Sequence, residues 1–453
     1  MTDTADVVVI GMGVGGELLA EQLADAGLDV VGIEARLLGG ECPYWGCIPT
    51  KMMTRAGNAL AEARRVPVLA GSATVHPDWA PVAARIRNEA TDTWDDAVAV
   101  DRFEGKGGRF VRGSGRLDGP GRVRVDDLVF EARRGVVLAT GTQPAVPPLP
   151  GLDGIEYWTN REAVEAKELP ASLVVLGGGA VGLELGQVFA RFGSKVTLVE
   201  RGPRLLPPEE PEACELVAKV FAKEGIDVHM GVGARSAART PAGVEVTLDG
   251  DTRVTGERLL VATGRRTDLR SLGVASVGLD EDAITIHVDE RLRASDRLWA
   301  IGDVTGLGPF THIAVYQARI AAADILGKPA PSADYRALPR VTFTDPEVGA
   351  VGLTEQQARD EGIDVRVGFA PLQKSSRGWI HKVGNEGFFK LVADHRRGVL
   401  VGATSVGPHG GETLGLLTLA VYAEIPVERL RWMIYAYPTF HRGIEDALRD
   451  LPG

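Results

Sequence analysis

Cysteines, long apolar segments and clusters of basic residues are all scarce in this sequence. Only three of the 453 residues are cysteine, which excludes a secreted scaffold built on disulfides. No run approaches the roughly 20 apolar residues of a membrane helix. The first residues are acidic, whereas a signal peptide begins with a basic region. We therefore expect a cytoplasmic protein without a membrane partner.

The charge balance limits the partners further. The 61 acidic and 50 basic residues give a net charge of −11. Since affinity for nucleic acids depends largely on clustered Lys and Arg, we expect no nucleic-acid partner. Hydrophobic residues at 44% and charged residues at 25% are the proportions of an ordinary globular protein. A chain of this length is expected to form about two to four domains, and we assign no metal site.

A dinucleotide-binding fingerprint stands near the start of the chain. A β-branched run at residues 6–10 predicts a strand, a glycine turn follows, and a helical pattern then continues to residue 26. Gly11 permits the tight turn, Gly13 lets the backbone approach a pyrophosphate, and Gly16 allows close packing of the helix. Glu34 ends the next predicted strand, where a carboxylate accepts hydrogen bonds from an adenosine ribose.

The same pattern occurs a second time. A predicted strand at residues 171–176 is followed by Gly177, Gly179 and Gly182, and Glu200 stands 23 residues after Gly177, the spacing that separates Glu34 from Gly11. Two complete units imply two dinucleotides and hence hydride transfer between nicotinamide and flavin. The alternative is a structural duplication in which one site has lost its function.

Two of the three cysteines, Cys42 and Cys47, are five positions apart. The spacing alone leaves open both a small disulfide ring and two buried thiols that never meet. The stretch from Gly39 to Lys51, GGECPYWGCIPTK, resembles the redox-active disulfide of the class I pyridine nucleotide-disulfide oxidoreductases. Dihydrolipoamide dehydrogenase, mercuric reductase and glutathione reductase belong to that family. Cys214 is interpreted as an isolated thiol on a helix.

The resemblance implies a role for each residue of the motif. Two electrons would pass from NAD(P)H through FAD to the disulfide, with Cys47 as the charge-transfer thiolate nearer the flavin and Cys42 as the interchange thiol that attacks the substrate. Lys51 matches the lysine that reaches the flavin's reactive nitrogen, and Glu184 matches its acidic partner. A solvent-exposed Lys51 is the alternative.

Further cofactor contacts follow from the same resemblance. Gly115 would touch the adenine end of FAD, Asp303 would bind the ribityl chain, and Thr311 with His312 would open the helix beneath the isoalloxazine. His312 is thus interpreted as a helix-start residue, and a catalytic base is the alternative. The remaining predicted cofactor-binding residues are Gly40, Thr140, Gly141 and Gly264. Glu200 favours NADH because it repels a 2′-phosphate, although Arg201 or Arg204 could extend tolerance to NADPH.

The resemblance covers nearly the whole chain and implies its domain organisation. We expect an α/β fold with two Rossmann-like domains and a C-terminal α+β dimerisation domain. The FAD-binding domain would comprise residues 1–150 and 265–333, the NAD(P)-binding domain 151–264 and the dimerisation domain 334–453. A homodimer is expected, in which the partner's tail completes each active site. Helices are predicted at 52–65 and 79–100.

The tail departs from the family pattern. Dihydrolipoamide dehydrogenases and glutathione reductases carry H-P-T-x-x-E, whose histidine is the acid/base for the interchange thiol, but here Tyr437 replaces the histidine and Arg442 the glutamate. His441 and Glu445 could form a displaced pair on a helix, or they could be part of a solvated helical face. A mercuric reductase would need a cysteine pair near the C-terminus, and no cysteine follows Cys214.

The sequence therefore predicts an FAD-dependent NAD(P)H oxidoreductase. Its Cys42–Cys47 disulfide would pass two electrons to a small disulfide, a quinone or a similar acceptor. The alternatives are a dihydrolipoamide dehydrogenase in the strict sense and a flavoprotein scaffold without enzymatic activity.

Overall fold

The structure is a computed structural model and describes residues 2–452. The strands, numbered along the chain, are β1 (Thr2–Ile10), β2 (Val30–Glu34), β3 (Arg109–Arg112), β4 (Arg116–Leu117), β5 (Arg122–Val125), β6 (Leu128–Leu138), β7 (Gln143–Pro144), β8 (Ser172–Leu176), β9 (Lys195–Glu200), β10 (Asp227–Met230), β11 (Ala234–Thr240), β12 (Gly243–Leu248), β13 (Arg253–Gly256), β14 (Arg258–Val261), β15 (Arg265–Arg266), β16 (Arg293–Ser295), β17 (Leu298–Ala300), β18 (Pro339–Thr342), β19 (Glu347–Gly352), β20 (Val365–Pro371), β21 (Phe388–Asp394) and β22 (Val399–Gly407).

The α-helices are α1 (Val14–Asp25), α2 (Glu41–Tyr44), α3 (Cys47–Leu69), α4 (Ala80–Arg85), α5 (Ala97–Gly105), α6 (Asn160–Glu165), α7 (Ala180–Phe192), α8 (Pro211–Lys223), α9 (Thr311–Ile325), α10 (Glu355–Asp360), α11 (Ser376–His381), α12 (Gly410–Tyr422), α13 (Val427–Arg431) and α14 (Gly443–Asp450). No helix among residues 2–452 is long and apolar enough to cross a membrane.

The chain forms two compact units, and the first is built on one large sheet. This unit comprises the described part of Met1–Pro49 together with Ala84–Ala145 and Arg265–Asp334. Its sheet has the order β16-β17-β6-β1-β2-β3, and the neighbours from β17 to β3 are parallel. The centre of β1 is fully buried because the strand is apolar on both faces, as expected for a covered parallel sheet.

Two helices cover the same face of this sheet. Leu19 and Leu23 of α1 pack with Ala318 and Ala321 of α9 in one apolar cluster, which also contains Val7 and Val9 of β1. The small residues of α9 permit a close approach of the two helices. The starts of α1 and α9 are therefore fixed to the sheet that carries the first glycine loop.

The second unit contains two further main sheets. It comprises Thr50–Ala83, Val146–Gly264 and the described part of Tyr335–Gly453. A parallel sheet of order β10-β9-β8-β14 carries the second glycine loop, and an antiparallel sheet of order β18-β19-β22-β21-β20 is formed by the C-terminal part. Leu417 of α12 and Ile444 and Leu448 of α14 pack with this antiparallel sheet in one core. The proposed division into three domains stays a prediction.

The single helix predicted at 79–100 is wrong. After α4 the backbone widens into a π-turn at Ile86–Ala90, and α5 begins only at Ala97. The Thr91 hydroxyl donates to the Ile86 carbonyl oxygen at 3.1 Å, and Asp92, Thr93 and Trp94 all have positive φ. A helix cannot continue through that backbone. The helix predicted at 52–65 lies within α3, which extends further at both ends.

Candidate active site

The first glycine loop is shaped to hold a phosphate group. Gly11 has φ of +92°, and a Cβ there would lie 2.5 Å from the Ala139 carbonyl oxygen. A Cβ on Gly16 would collide with the Gly11 carbonyl oxygen. The helix α1 begins after Gly13 without a side-chain cap, and the backbone N–H groups at the start of a helix can bind an anion. The loop therefore fits a dinucleotide pyrophosphate.

Glu34 is fixed beside this loop. Its Oε2 accepts from the Met12 amide and its Oε1 from the Arg36 amide, each at 2.8 Å, and burial raises the pKa of its carboxyl. The remaining lone pairs can accept ribose hydroxyls. A Cβ on Gly115 would lie 2.9 Å from Ile10 Cγ2, so this glycine is placed against the end of β1. These residues fit the adenosine half of FAD.

The remaining predicted cofactor-binding residues follow two strands, Thr140 and Gly141 after β6 and Gly264 after β14. A Cβ on Gly11 would be 2.9 Å from Thr140 Cα, and Gly141 has φ of +61°. Gly264 has φ of +129°. Thr140 is therefore directly beside the first glycine loop.

The second glycine loop repeats the construction of the first. A Cβ on Gly177 would collide with the Ala262 carbonyl oxygen, and one on Gly182 with the Gly177 carbonyl oxygen. The helix α7 begins after Gly179 without a side-chain cap. Glu200 accepts from the Gly178 amide at 2.6 Å and from the Gly202 amide at 2.5 Å. Both loops thus fit a dinucleotide in the same way.

The Gly39–Gly40 step brings the cysteine motif to the first loop. Gly40 has φ of +70°, and a Cβ there would lie 2.8 Å from Gly13 Cα. Gly39 forms an isolated parallel bridge with Gly13. The motif is therefore attached to the phosphate-binding loop by backbone contacts that no residue with a side chain would permit.

The two cysteines of the motif are free thiols in this structure. Cys42 lies in α2 and Cys47 starts α3. A side-chain hydrogen bond to Cys47, burial and the negative charge of an ionised Cys47 raise the pKa of the Cys42 thiol. The disulfide between Cys42 and Cys47 stays a prediction.

Thr311 is a further neighbour of this pair. Its Oγ1 is 3.4 Å from Cys47 Sγ, and its hydrogen bond to Cys42 lowers the pKa of that thiol, against the larger effect of Cys47. Thr311 is the first residue of α9, so the start of this helix lies at the sulfur atoms. The His312 ring stacks on Phe310 with centroids 5.2 Å apart, in agreement with a helix-start position.

Lys51 and Glu184 form an ion pair in the second unit. Lys51 Nζ donates to Glu184 Oε2 at 2.7 Å, with 35% of the lysine side chain and 6% of the glutamate side chain exposed. The other oxygen of Glu184 accepts from the Phe343 amide at 2.8 Å. The Phe343 ring centroid lies 4.6 Å from Lys51 Nζ, a distance that permits a cation–π contact. Lys51 is therefore paired and not merely solvated.

Asp303 has two partners that the sequence did not indicate. The Thr142 hydroxyl donates to Asp303 Oδ2 at 2.7 Å, and Arg265 Nε donates to the Thr142 hydroxyl at 2.6 Å. Arg265 Nε is also 3.9 Å from Asp303 Oδ2. Thr142 and Arg265 thus orient the carboxylate, and 23% of the Asp303 side chain remains exposed.

Cys214 lies outside the cysteine motif. It lies in α8, where its thiol donates to the Glu210 carbonyl oxygen at 3.2 Å, and burial raises its pKa to about 11. This agrees with an isolated helical thiol.

The tail does not contain the displaced pair that its sequence allowed. The helix α14 begins at Gly443, after His441, so His441 and Glu445 do not share a helical face. Glu445 Oε2 instead accepts from Arg442 Nη1 at 2.9 Å. The Tyr437 ring is 68% exposed, and the Arg442 guanidinium lies 5.2 Å from its centroid. The Glu445 carboxylate is thus paired with Arg442.

Comparison with known proteins identifies the family. The sequence model described as "Pyridine nucleotide-disulphide oxidoreductase" matches residues 5–318. The chain belongs to this family. The model of the family's dimerisation domain matches residues 338–448, so the chain also carries that domain. The predicted family and the predicted fold class are both confirmed.

Several relatives align along almost the full chain. The dihydrolipoyl dehydrogenase of Thermus scotoductus is 34% identical over 99% of this chain and 97% of its own. A mercuric reductase of Streptomyces lividans is 33% identical over 97% and 94%. Among solved structures, the HOCl-induced flavoprotein disulfide reductase RclA of Escherichia coli is 28% identical with a TM-score of 0.85, covering 98% of this chain and 99% of its own. LpdA of Mycobacterium tuberculosis is 27% identical with a TM-score of 0.86, covering 98% of each chain.

Membership of the family establishes the cofactors. Pyridine nucleotide-disulphide oxidoreductases use FAD and NAD(P)H, which confirms the two cofactors predicted from the duplicated glycine loops. The roles of individual residues, the nicotinamide preferred and the electron acceptor remain predictions.

Proposed function

We propose that the chain is an NAD(P)H oxidoreductase that transfers two electrons through the Cys42–Cys47 pair to a small disulfide, a quinone or a similar acceptor. The observation that supports it most is the position of Cys47, which begins α3 directly after the short helix α2 that carries Cys42, with its Sγ 3.4 Å from the Thr311 hydroxyl oxygen. Bound FAD supplies the chemistry that links a two-electron hydride donor to a disulfide. The protein works as a homodimer through the dimerisation domain that its C-terminal part carries.

The two sulfurs have different roles in this proposal. We assign the thiolate to Cys47, because a hydrogen bond to Cys47 and a charge on Cys47 raise the pKa of Cys42. With a disulfide acceptor, the deprotonated Cys42 attacks one sulfur and releases the first thiol. Cys47 then attacks Cys42, releases the second thiol and restores the intramolecular disulfide. Two electrons and two protons leave the dithiol in each cycle.

In this proposal Lys51 carries a positive charge, and Glu184 holds that charge in place. Glu184 is almost fully buried, and both of its oxygens are engaged, one by Lys51 and one by the Phe343 amide. Buried carboxylates require such partners. The arrangement keeps the Lys51 ammonium in one position, from which it would hold the reactive nitrogen of a bound flavin.

We further propose that NADH is preferred to NADPH. The Glu200 carboxylate is held by two backbone amides, so it cannot turn away from a 2′-phosphate, whereas it can accept from a 2′-hydroxyl. Arg204 is engaged elsewhere, because its Nη2 donates to the Pro207 carbonyl oxygen at 2.9 Å. That contact occupies one of the five N–H groups of the Arg204 guanidinium.

The acceptor is limited by the acid/base chemistry of the site. Cys42 must lose its proton before it can attack a disulfide, and its pKa is raised. A phenol such as that of Tyr437 is a far weaker base at neutral pH than an imidazole. We therefore propose that quinones and similar electron acceptors are reduced faster than disulfides. Dihydrolipoamide dehydrogenase activity remains the second candidate, since that enzyme from Thermus scotoductus is 34% identical to the chain.

A thiol count tests the proposal. The oxidised holoenzyme is denatured and alkylated before and after anaerobic addition of NADH, and the modified cysteines are identified by mass spectrometry. We expect one modified cysteine, Cys214, before reduction and all three after it. In Cys214→Ser the count should rise from zero to two. An unchanged count, with the flavin spectrum also unchanged, would favour the non-enzymatic scaffold.

A further inference from the structure

Three polar side chains of α7 form one continuous face. Glu184, Gln187 and Arg191 are three and four residues apart in this helix, a spacing that places them side by side. They are 5%, 3% and 4% exposed. All three contact the short segment Phe343–Asp345 that follows β18. Buried polar groups are expensive without partners, so this row indicates a structural or functional requirement.

Gln187 and Arg191 fix the end of that segment. Gln187 Oε1 accepts from the Asp345 amide at 2.8 Å, and its Nε2 donates to the Asp345 carbonyl oxygen at 2.9 Å. Arg191 Nη2 donates to Asp345 Oδ2 at 2.8 Å and to Glu224 Oε1 at 2.6 Å. The backbone and the side chain of Asp345 are therefore both held by α7.

The start of the segment contacts both members of the Lys51–Glu184 pair. The Phe343 amide donates to Glu184 Oε1 at 2.8 Å, which leaves Oε2 directed at Lys51 Nζ at 2.7 Å. The Phe343 ring lies 4.6 Å from the same ammonium. If Phe343 moved, the Glu184 carboxylate would lose the hydrogen bond that orients it, and the Lys51 ammonium would lose its contact with the ring.

We propose that Gln187 and Arg191 are positioning residues for the Lys51–Glu184 pair. They hold Asp345, and through two peptide units they fix the amide and ring of Phe343 against Glu184 and Lys51. This inference rests on the proposed function, in which Lys51 binds the flavin's reactive nitrogen. A shift of Lys51 by about 1 Å would be sufficient to slow hydride transfer strongly.

The first test is Gln187→Met, which retains the approximate side-chain volume and removes both hydrogen bonds to the Asp345 backbone. In the holoenzyme we expect the Phe343 amide hydrogen to exchange at least roughly tenfold faster. We expect the limiting rate of anaerobic flavin reduction by NADH to fall roughly fivefold, with the half-saturating NADH concentration changed less than about twofold.

A control separates positioning from general loss of stability. Lys390→Met breaks a buried ion pair between Lys390 Nζ and Glu210 Oε2, 2.9 Å apart, elsewhere in the same unit. It should lower the unfolding temperature at least as far as Gln187→Met does. We expect it to leave the exchange of the Phe343 amide and the rate of flavin reduction unchanged. An equal fall in that rate in both variants would overturn the inference.

The second test places Gln187→Met in the Glu184→Gln background. If Gln187 acts through Glu184, the further loss of reduction rate should be less than about 1.5-fold. The same fivefold loss in both backgrounds would overturn the inference. An unchanged rate in Gln187→Met alone would also overturn it. In either case a slow Glu184→Gln variant would leave the proposed function intact. An unchanged rate in Glu184→Gln would instead overturn the proposed role of the pair itself.

Discussion

Replacing Glu184 by Gln removes one charge from the pair and little else. The amide oxygen can still accept from the Phe343 amide, now 2.8 Å from Oε1, but an NH₂ group comes to lie against Lys51 Nζ. Hydrogen bonds to charged groups contribute about 1.5–3 kcal/mol. Because 35% of the Lys51 side chain is exposed, water will compensate part of that loss, and about 1–2 kcal/mol remains. This corresponds to a roughly 5–30-fold slower step that depends on the position of Lys51.

The assay is anaerobic stopped-flow reduction of the bound flavin by saturating NADH. Glu184→Gln should lower the limiting rate by the factor given above, with the FAD content equal to that of the wild type. Glu215→Gln is the matched control, because Glu215 forms an exposed pair with Lys219 at 3.6 Å that should contribute almost nothing. If Glu184→Gln and Glu215→Gln reduce their flavin equally fast, the reasoning about the buried pair is refuted.

Three further predictions concern the substrates and the thiols. Steady-state kcat/KM should be at least roughly tenfold higher with NADH than with NADPH, because the fixed Glu200 carboxylate repels a 2′-phosphate; a preference for NADPH would contradict this. Quinone turnover should exceed lipoamide turnover in the wild type, and Tyr437→His should raise lipoamide turnover by up to roughly 10²-fold. Rapid lipoamide turnover that is unchanged in both Tyr437→His and His441→Ala would show that the lost dyad does not limit the enzyme. Finally, the raised pKa of Cys42 means that less of it is thiolate at a given pH. The rate of alkylation of Cys42 in the reduced enzyme should therefore still increase with pH above pH 9. A rate that becomes constant below pH 8 would contradict the raised pKa.

The sequence predicted those features that depend on local backbone geometry. Gly11 and Gly177 have positive φ and would collide with Ala139 and Ala262 if they carried a side chain. The glycines that each loop requires therefore stand close together in the sequence, where a motif reveals them. The ion pair between Lys51 and Glu184 was predicted only through the family resemblance. Nothing in composition or periodicity joins two residues that are 133 positions apart.

The sequence did not predict the features that arise from packing between distant segments. Thr311 reaches Cys47 across 264 positions, and Asp345 reaches Gln187 across 158. The positions of Gln187 and Arg191, three and seven residues after Glu184 in an otherwise apolar helix, were a signal that could have been used. The break after α4 was missed because Thr91 competes for backbone carbonyl oxygens, an interaction that helical periodicity does not reveal.

The central claim is that Cys47 is the thiolate beside the flavin and that Cys42 is the second redox-active sulfur. Anaerobic two-electron reduction of the wild type, Cys42→Ser and Cys47→Ser, followed by absorbance at long wavelength, tests this claim most directly. We predict a charge-transfer band in the wild type and in Cys42→Ser, and none in Cys47→Ser. If Cys47→Ser keeps both the band and its activity with NADH and an acceptor, the cysteine pair has no part in the reaction.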